Sequence, residues 1–177
     1  MTIEDPQLPR YFFVTGGKAL SPISSLNAFD EALLKAGIAQ CNLVPVSSIL
    51  PSQAIEVEYV RLTPGVIAFT IMARIEGGEG ETLSAGVAWA FGTDNEGTRY
   101  GLVVEAYGHK GEEELRESLH QKLTRMAEVR SMRLEKVKYR IEYIESVPAG
   151  MYGSALAAVI FVPRVDYDKV ELRHEKR

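Results

Sequence analysis

The ten residues TLSAGVAWAF (82–91) decide the fold, because the two faces of this segment differ in size. Successive side chains of a strand point to opposite faces. The large face would carry Leu83, Ala85, Val87, Trp89 and Phe91, and the small face Thr82, Ser84, Gly86, Ala88 and Ala90. We therefore predict that this segment is a strand and that another element packs closely against its small face.

The rest of the chain follows the order strand, helix, several strands, helix, strands. Helices are predicted at 24–37, with Leu26, Phe29 and Leu33 on the buried face, and at 112–132, with Leu115, Leu119, Leu123 and Met126 buried. Strands are predicted at 10–17, 41–48, 54–62, 66–75, 82–91, 99–108, 137–147 and 153–162. The glycine-rich segment 76–81 is interpreted as a hairpin turn between two of them. This order predicts a single α+β domain, with two sheets face to face and helices outside.

Composition excludes several classes of function. A net charge of −4 and a pI near 5.5 argue against a nucleic-acid surface, which needs a basic field. No apolar run reaches the length of a membrane span, and the first residues are acidic where a signal peptide is basic. The single cysteine, Cys41, allows no internal disulfide and is interpreted as a small buried hydrophobe. We expect a cytoplasmic protein.

An unusual pair of hydroxyls lies in the apolar segment NLVPVSSILPSQA (42–54). Ser47 and Ser48 could simply end a strand and bond to nearby main-chain groups. Alternatively, a serine hydroxyl could attack the carbonyl of the preceding residue, break the chain and leave a pyruvoyl ketone. That chemistry requires a tightly held turn, which Pro45 and Pro51 would stiffen, and a donor for the oxyanion. Asn42 offers a side-chain amide just upstream.

Three segments carry a resemblance that favours the second interpretation. They are LNAFDEALLKAGIAQCNLVPVSSILP (26–51), GETLSAGVAWAF (80–91) and GLVVEAYG (101–108). In order and spacing they resemble the pyruvoyl-dependent arginine decarboxylases, over roughly residues 10–162. The resemblance implies a four-layer αββα sandwich. It also implies a homotrimer whose active sites lie between protomers.

The resemblance further implies self-cleavage between Ser47 and Ser48. Residues 1–47 would become the β chain and residues 48–177 the α chain, with Ser48 converted into a covalent pyruvoyl cofactor. No metal or pyridoxal phosphate is required. The ketone would form a Schiff base with arginine, lose carbon dioxide and release agmatine. By the same resemblance Asn42 assists processing, Glu105 is the catalytic acid and Asp30 binds the substrate.

The sequence supports the role of Glu105 independently. Glu105 shares a strand face with Val103 and Tyr107, and the other face is apolar. A carboxyl group in such a strand should be partly desolvated, which raises its pKa and keeps a proton available near neutral pH. The alternative is a glutamate that faces water at the end of a strand. Asp30 suits a guanidinium chemically, but it could also be a solvated helix residue paired with Lys35.

Several positions depart from the family pattern and leave alternatives open. Tyr107 stands where family members often carry a second glutamate, and Gln53 stands where an acidic residue is expected. The substrate could therefore be another amino acid, such as lysine or ornithine. An unprocessed, non-catalytic assembly or regulatory homologue is the third alternative. Polyamine synthesis and acid resistance are both compatible pathways for agmatine.

The remaining charged residues are given no catalytic role. The segment 163–177 is predicted to be a loose, charged C-terminal tail. His109, His120 and His174 lack the spacing of metal ligands and are predicted to be surface residues.

Overall fold

The long strands and helices follow one another in the predicted order, but the predicted strand 54–62 is reduced to Ile55–Glu56. The computed structural model describes residues 8–174. The strands are β1 (Tyr11–Ser21), β2 (Asn42–Pro45), β3 (Ile49–Leu50), β4 (Ile55–Glu56), β5 (Ile67–Gly77), β6 (Leu83–Thr93), β7 (Arg99–Gly108), β8 (Arg133–Leu134), β9 (Lys138–Ile144) and β10 (Tyr152–Phe161). The helices are α1 (Ser25–Ala36), α2 (Glu112–Val129) and α3 (Tyr167–His174). The acidic N-terminus, the last residues of the predicted tail and the side chain of His174 lie outside the described residues.

The described strands form two sheets. Sheet A has the order β2-β5-β10-β1-β4, with β10 antiparallel to both of its neighbours and the short edge strands β2 and β4 parallel to theirs. Sheet B has the order β3-β7-β6, and both β8 and β9 pair with the far side of β6. The sheets face each other across an apolar core, which confirms the predicted α+β sandwich. This core consists of Phe12, Leu50, Ala54, Ile71, Val87, Trp89, Val103, Ala157, Val159 and Phe161.

The predicted hairpin at 76–81 is wrong. The strands on either side of this turn belong to different sheets: β5 pairs with β2 and β10, whereas β6 pairs with β7 and β9. The turn therefore carries the chain from sheet A to sheet B. Proximity along the chain favours a hairpin, but the long strand β10 pairs with β5 through eight residues and takes the place that β6 would need.

Helix α2 covers the small face of β6, as the alternation of large and small side chains predicts. Its stripe of Leu115, Leu119 and Leu123 is fully buried against Ala88 and Ala90. Burial of each such leucine contributes about 1.5–3 kcal/mol to folding. The fourth buried residue is Ala127, whereas Met126, which was expected in the stripe, is only partly buried. The small residues of β6 thus leave room for the leucines of the helix.

Helix α1 packs on the outer face of sheet A mainly through alanines; of the residues predicted for its buried face, Phe29 and Leu33 are only partly buried against the core. Ser24 caps the helix, and Gly37 ends it with a left-handed φ of 76°. The residues buried are Ala28, Ala32 and Ala36, whereas Leu26 is 73% exposed. The reason lies at Gly17 of β1, where a Cβ atom would come within 2.2 Å of the Ala32 carbonyl oxygen. The helix approaches the strand so closely that only small side chains fit between them.

The prediction of a loose tail is also wrong for the described part of segment 163–177. A 3-10 turn (Arg164–Asp166) and α3 dock against the segment before β5. Asp166 is fully buried and accepts hydrogen bonds from the hydroxyl (2.9 Å) and main-chain N–H (3.2 Å) of Thr63, and its carboxylate pairs with Lys169. Burial raises the pKa of Asp166, but the bonds from Lys169 and Thr63 outweigh it and lower the pKa below its ordinary value.

Asp166→Asn should destabilise the fold by about 1–3 kcal/mol, because Lys169 loses its carboxylate partner and the amide NH2, a donor, replaces one of the two oxygens that accept from Thr63 and Lys169. Since the pKa of Asp166 is lower in the folded state, its contribution is complete above the ordinary aspartate pKa and is lost as the pH falls through the lowered value. The difference between mutant and wild type in thermal unfolding should therefore shrink in strong acid. Asp168→Asn, an exposed change in the same segment, should have little effect at any pH.

Candidate active site

The serine pair lies where the chain crosses from sheet A to sheet B. On the sheet A side, the Val46 N–H donates to the Thr70 carbonyl at 2.9 Å. On the sheet B side, the Val103 N–H donates to the Ser48 carbonyl, also at 2.9 Å. The two sheets therefore hold the crossing at both ends. A segment held at both ends is compatible with a serine-based chain break.

A three-residue turn is centred on Ser48. The Ile49 N–H donates to the Ser47 carbonyl at 2.9 Å, which closes the turn across the intervening residue. Ser47 is exposed and Ser48 is half-buried. Among residues 8–174, no side-chain hydrogen bond involves the Ser48 hydroxyl. The Ser47 carbonyl, which lies next to that hydroxyl, already accepts the hydrogen bond from the Ile49 N–H.

Glu105 lies on the strand that Ser48 contacts. The antiparallel pairing of Ile49 with Leu102 places Ser48 opposite Val103. Glu105 is two residues further along β7 and on the same face as Val103, which is about 7 Å along the strand. Before the structure, only the family resemblance linked Ser48 with Glu105. The structure therefore brings two of the predicted site residues, Ser48 and Glu105, close together.

The carboxyl group of Glu105 has a perturbed pKa. Its side chain is exposed at the edge of the strand, but neighbouring atoms shield the carboxyl group from part of the solvent. This partial burial raises the pKa of Glu105, and the positive charge of Lys122 offsets some of the increase. The predicted direction is confirmed. Lys122 extends from α2 and also donates to the main-chain carbonyl of Glu105 at 3.1 Å. Sequence analysis missed this lysine, because only the packing of α2 brings it to β7.

The other two predicted residues are placed elsewhere in the chain. The Asn42 side-chain amide donates to the Gly65 carbonyl at 2.9 Å, at the opposite end of β2 from the serines. Asp30 is exposed on α1, on the outer face of sheet A, between the exposed side chains of Leu26 and Leu34. Sheet A therefore lies between Asp30 and Glu105, which is on β7 of sheet B. Within residues 8–174, no hydrogen bond or ion pair joins either residue to Ser48.

The two open sides of the sandwich differ in character. At the side of β4 and β9, the Glu56 carboxylate accepts from the Trp89 indole at 3.0 Å and from Lys138 at 2.8 Å, and Arg140 pairs with Glu142 at 2.6 Å. The side beside the serine pair, which we call the open edge, exposes large apolar side chains instead. They are Val44, Val46, Ile49, Ile67, Phe69 and Tyr107. The candidate site thus borders an apolar surface that a single chain leaves uncovered.

Comparisons with known proteins identify the family of the chain. A family model described as pyruvoyl-dependent arginine decarboxylase (PvlArgDC) matches residues 11–166. The chain belongs to this family. A pyruvoyl-dependent arginine decarboxylase of Pyrococcus abyssi is 34% identical over 146 residues, which cover 79% of this chain and 87% of that protein. One of Methanothermobacter thermautotrophicus is 33% identical over 153 residues, covering 84% and 94%.

Membership of the pyruvoyl-dependent arginine decarboxylase family confirms the resemblance seen in the sequence. The described residues contain no group of three or more His, Cys, Asp or Glu side chains that could hold a metal ion. His109 and His120 are exposed, as predicted, and bond to the Thr82 carbonyl and the Tyr139 hydroxyl. Cys41 is partly buried, and burial raises the pKa of its thiol. No helix in the described part of the chain is long and apolar enough to cross a membrane.

Proposed function

We propose that the chain cleaves itself between Ser47 and Ser48 and then decarboxylates L-arginine to agmatine and carbon dioxide. The observation that carries the proposal is the closed turn at Ser48, held between two sheets, with Glu105 on the neighbouring strand. The relatives named above are called arginine decarboxylases, which supports the choice of substrate. The resulting chains would be a β chain of residues 1–47 and an α chain of residues 48–177.

The cleavage can be written with its atoms in balance. Ser48 Oγ attacks the Ser47 carbonyl carbon, the C–N bond breaks, and the nitrogen takes the hydroxyl proton, which gives an ester. Loss of the Ser48 Cα proton then breaks the Cβ–O bond and releases the Ser47 carboxylate. Water replaces the nitrogen of the resulting dehydroalanine, and ammonia leaves. The turn suits this chemistry, because the attacked carbonyl is fixed beside a hydroxyl that has no other side-chain partner.

The cut chains would remain associated. Within sheet A, β1 pairs with β10 and β4, and β2 pairs with β5, so the strands of residues 1–47 lie between or beside strands of the other chain. Separation would break both ladders and expose the core beneath α1. We therefore expect the two fragments to elute together under native conditions and to separate only in denaturant.

Side chains supply the remaining roles in the proposed reaction. The ketone at position 48 would provide the electron sink for the loss of carbon dioxide. The Glu105 carboxyl holds a proton that passes to the α-carbon of the product, and its raised pKa keeps that proton available at higher pH than an ordinary glutamate would. The Asp30 carboxylate would bind the guanidinium through two charge-assisted hydrogen bonds.

We further propose that the enzyme is a trimer with its sites between protomers. Asp30 lies on the far side of sheet A from Glu105, so the Asp30 of another protomer would have to complete the site. Two exposed surfaces favour such contacts: the apolar residues of the open edge and the leucines that flank Asp30 on α1. Contacts between protomers at these two surfaces would remove their apolar side chains from water.

Lys122→Met should shift the alkaline limb of the pH–rate profile to higher pH. Lys122 favours the charged form of Glu105, so removal of its charge raises the pKa of Glu105 further and keeps the acid protonated in more alkaline solution. The measurement is the pH dependence of kcat for agmatine formation. Lys122→Arg should leave the limb nearly in place, and so should Arg125→Met, which removes a cation from the same helix. An unmoved limb in Lys122→Met would contradict the role assigned to Glu105.

A denaturing gel with intact mass measurement tests the proposal. We expect two fragments, the larger of them lighter by one ammonia than a chain that begins with serine, and carbon dioxide released from arginine. A single full-length chain with an unmodified Ser48 would overturn self-cleavage and favour a non-catalytic assembly or regulatory role. Carbon dioxide from lysine or ornithine alone would overturn arginine as substrate. That alternative is favoured by Tyr107, which is 63% exposed on the face of Glu105 where a second carboxylate would be expected.

A further inference from the structure

The strand next to the proposed ketone has few bonds to hold it. β3 comprises only Ile49 and Leu50, which pair with Leu102 and Gly101 of β7. Cleavage would make residue 48 the first residue of the α chain, directly before this strand. Most strands have three or more residues, and the end of a chain frays unless other contacts hold it. The position of the ketone therefore depends on whatever anchors β3.

A side chain of β7 anchors the segment that follows β3. Continued pairing would place Ser52 opposite Arg99. Instead the chain turns after β3, where the Ala54 N–H donates to the Pro51 carbonyl at 3.0 Å. The Arg99 guanidinium bridges the gap, because its Nη1 donates to the Ser52 carbonyl at 2.9 Å. Within residues 8–174, Arg99 is the only residue whose side chain hydrogen-bonds to residues 48–54.

The Arg99 guanidinium is itself fixed by two further partners. Its Nε and Nη2 donate to the two carboxylate oxygens of Glu135, at 2.8 and 3.2 Å. The group also lies over the ring of Phe91, 4.3 Å from the ring centre. The Glu135 N–H donates to the Phe91 carbonyl at 2.8 Å, so the two partners are joined to each other. A bidentate pair fixes the orientation of a guanidinium as well as its position, which directs Nη1 at Ser52.

We propose that Arg99, held by Glu135 and Phe91, is a positioning residue that keeps the ketone at residue 48 in place during turnover. The inference rests on the proposed function, because only a cut chain begins at residue 48. Arg99 is four residues from Val103, or about 13 Å along β7, so it does not touch the reacting atoms. It acts through β3, because it fixes the segment after this strand while the ketone lies directly before it.

The contact of Arg99 becomes more important once the chain is cut. In the precursor, residue 48 is covalently joined to Ser47, and the Val46 N–H donates to the Thr70 carbonyl of sheet A. Cleavage removes this tether, after which the contacts of residues 48–54 alone hold the ketone. A misplacement of about 1 Å can cost about 10²-fold in rate. We therefore expect the loss of Arg99 to affect turnover more than self-cleavage.

Arg99→Met tests the inference, because it removes the guanidinium and keeps an unbranched side chain. The chain should still be cut, and KM for arginine should stay within about twofold of the wild-type value, whereas kcat should fall by about 10–100-fold. KM is spared because the proposed guanidinium partner, Asp30, is unchanged. Normal kcat in a cut Arg99→Met enzyme would overturn the inference.

The matched control is Arg116→Met. Arg116 also lies over an aromatic ring, that of Tyr139 at 5.1 Å, and pairs with the Glu112 carboxylate at 3.5 Å. It belongs to α2 and makes these contacts away from β3. Its replacement should leave both kcat and KM at the wild-type values.

Hydrogen exchange followed by mass spectrometry measures the anchoring itself. In the cut enzyme, Arg99→Met should speed the amide exchange of residues 49–54 by about tenfold, since a hydrogen bond to a charged group is lost. In the uncut Ser48→Ala chain the same substitution should have a smaller effect, because Ser47 still tethers the segment. Unchanged exchange in the cut Arg99→Met enzyme would overturn the inference. So would faster exchange throughout both sheets, which would indicate a general loss of stability.

Glu135→Gln provides a second variant that keeps Arg99 but removes the charge that orients it. The kcat value should fall by a smaller factor than in Arg99→Met. The double variant should be no slower than Arg99→Met alone, because Glu135 acts through Arg99. Losses that multiply in the double variant would overturn the assignment of the two residues to one unit.

These outcomes separate the inference from the function on which it rests. If the wild-type chain is cut and releases carbon dioxide from arginine, the proposed function stands, whatever the Arg99 variants do. If the wild-type chain stays whole, the proposed function fails first and the inference fails with it.

Discussion

Ser48→Ala should give a folded, full-length chain that is never cut and that releases no carbon dioxide from arginine. The substitution removes the only hydroxyl placed to attack the Ser47 carbonyl within the turn. It also removes the atoms from which the ketone is made, so cleavage and turnover are lost together. A half-buried serine in a short turn contributes little to stability, so the two sheets should still assemble.

The measurement is a denaturing gel beside a carbon dioxide assay, with circular dichroism to confirm folding. Ser52→Ala is the matched control, because it removes a nearby hydroxyl from the segment after β3 without touching the turn. It should be cut and active. Recovery of fragments from Ser48→Ala with the wild-type cut site would show that Ser48 is not the nucleophile.

Glu105→Gln should be cut normally but should lose about 10²–10⁴-fold in kcat. Glutamine preserves the size of the side chain but cannot deliver a proton to the product carbon. Cleavage should be unaffected, because it depends on the turn at Ser48. This separation of processing from turnover distinguishes a catalytic acid from a residue that only supports the fold.

The experiment compares fragment formation with the rate of agmatine release over a range of pH. Loss of the protonated carboxyl as the pH rises through the raised pKa of Glu105 should limit the wild type, and this limb should vanish in Glu105→Gln. Glu96→Gln, an exposed change in the loop between β6 and β7, should behave as the wild type. Turnover near the normal rate in Glu105→Gln would remove Glu105 from the mechanism.

The sequence pattern predicted a strand or helix correctly wherever the side chains on one face of that element determine its structure. The large and small faces of 82–91 predicted a strand covered closely on one side, and α2 occupies that place. The helix predicted at 24–37 is α1, which Ser24 and Gly37 cap, because capping depends on a few neighbouring residues. The burial of α1 was predicted only in part: Phe29 and Leu33 do contact the core, but the fully buried positions are alanines, because Gly17, distant in sequence, brings the helix close to β1.

In the candidate site too, some features are visible in the sequence and others only in the structure. The residue types needed for the proposed chemistry, two adjacent serines and a carboxyl group in an apolar strand, are visible in the sequence, and the raised pKa of Glu105 followed from them. Two features of the site were not visible in the sequence: the hydrogen bond from the Ile49 N–H to the Ser47 carbonyl, and the charge of Lys122 beside Glu105. The hydrogen bond is made by main-chain groups, and Lys122 reaches β7 across a helix–sheet contact, so neither has a local sequence pattern.

By itself, the sequence determined the α+β class, the order of the main elements and the chemical character of the serine segment. These properties depend on periodicity, capping and residue type, which act over a few neighbouring positions. Only the tertiary structure decided that 76–81 joins two sheets, that the tail docks through Asp166, and that Asp30 and Glu105 lie on opposite sides of sheet A. Those outcomes arise from competition between distant segments for the same partners, and no local pattern records which segment prevails.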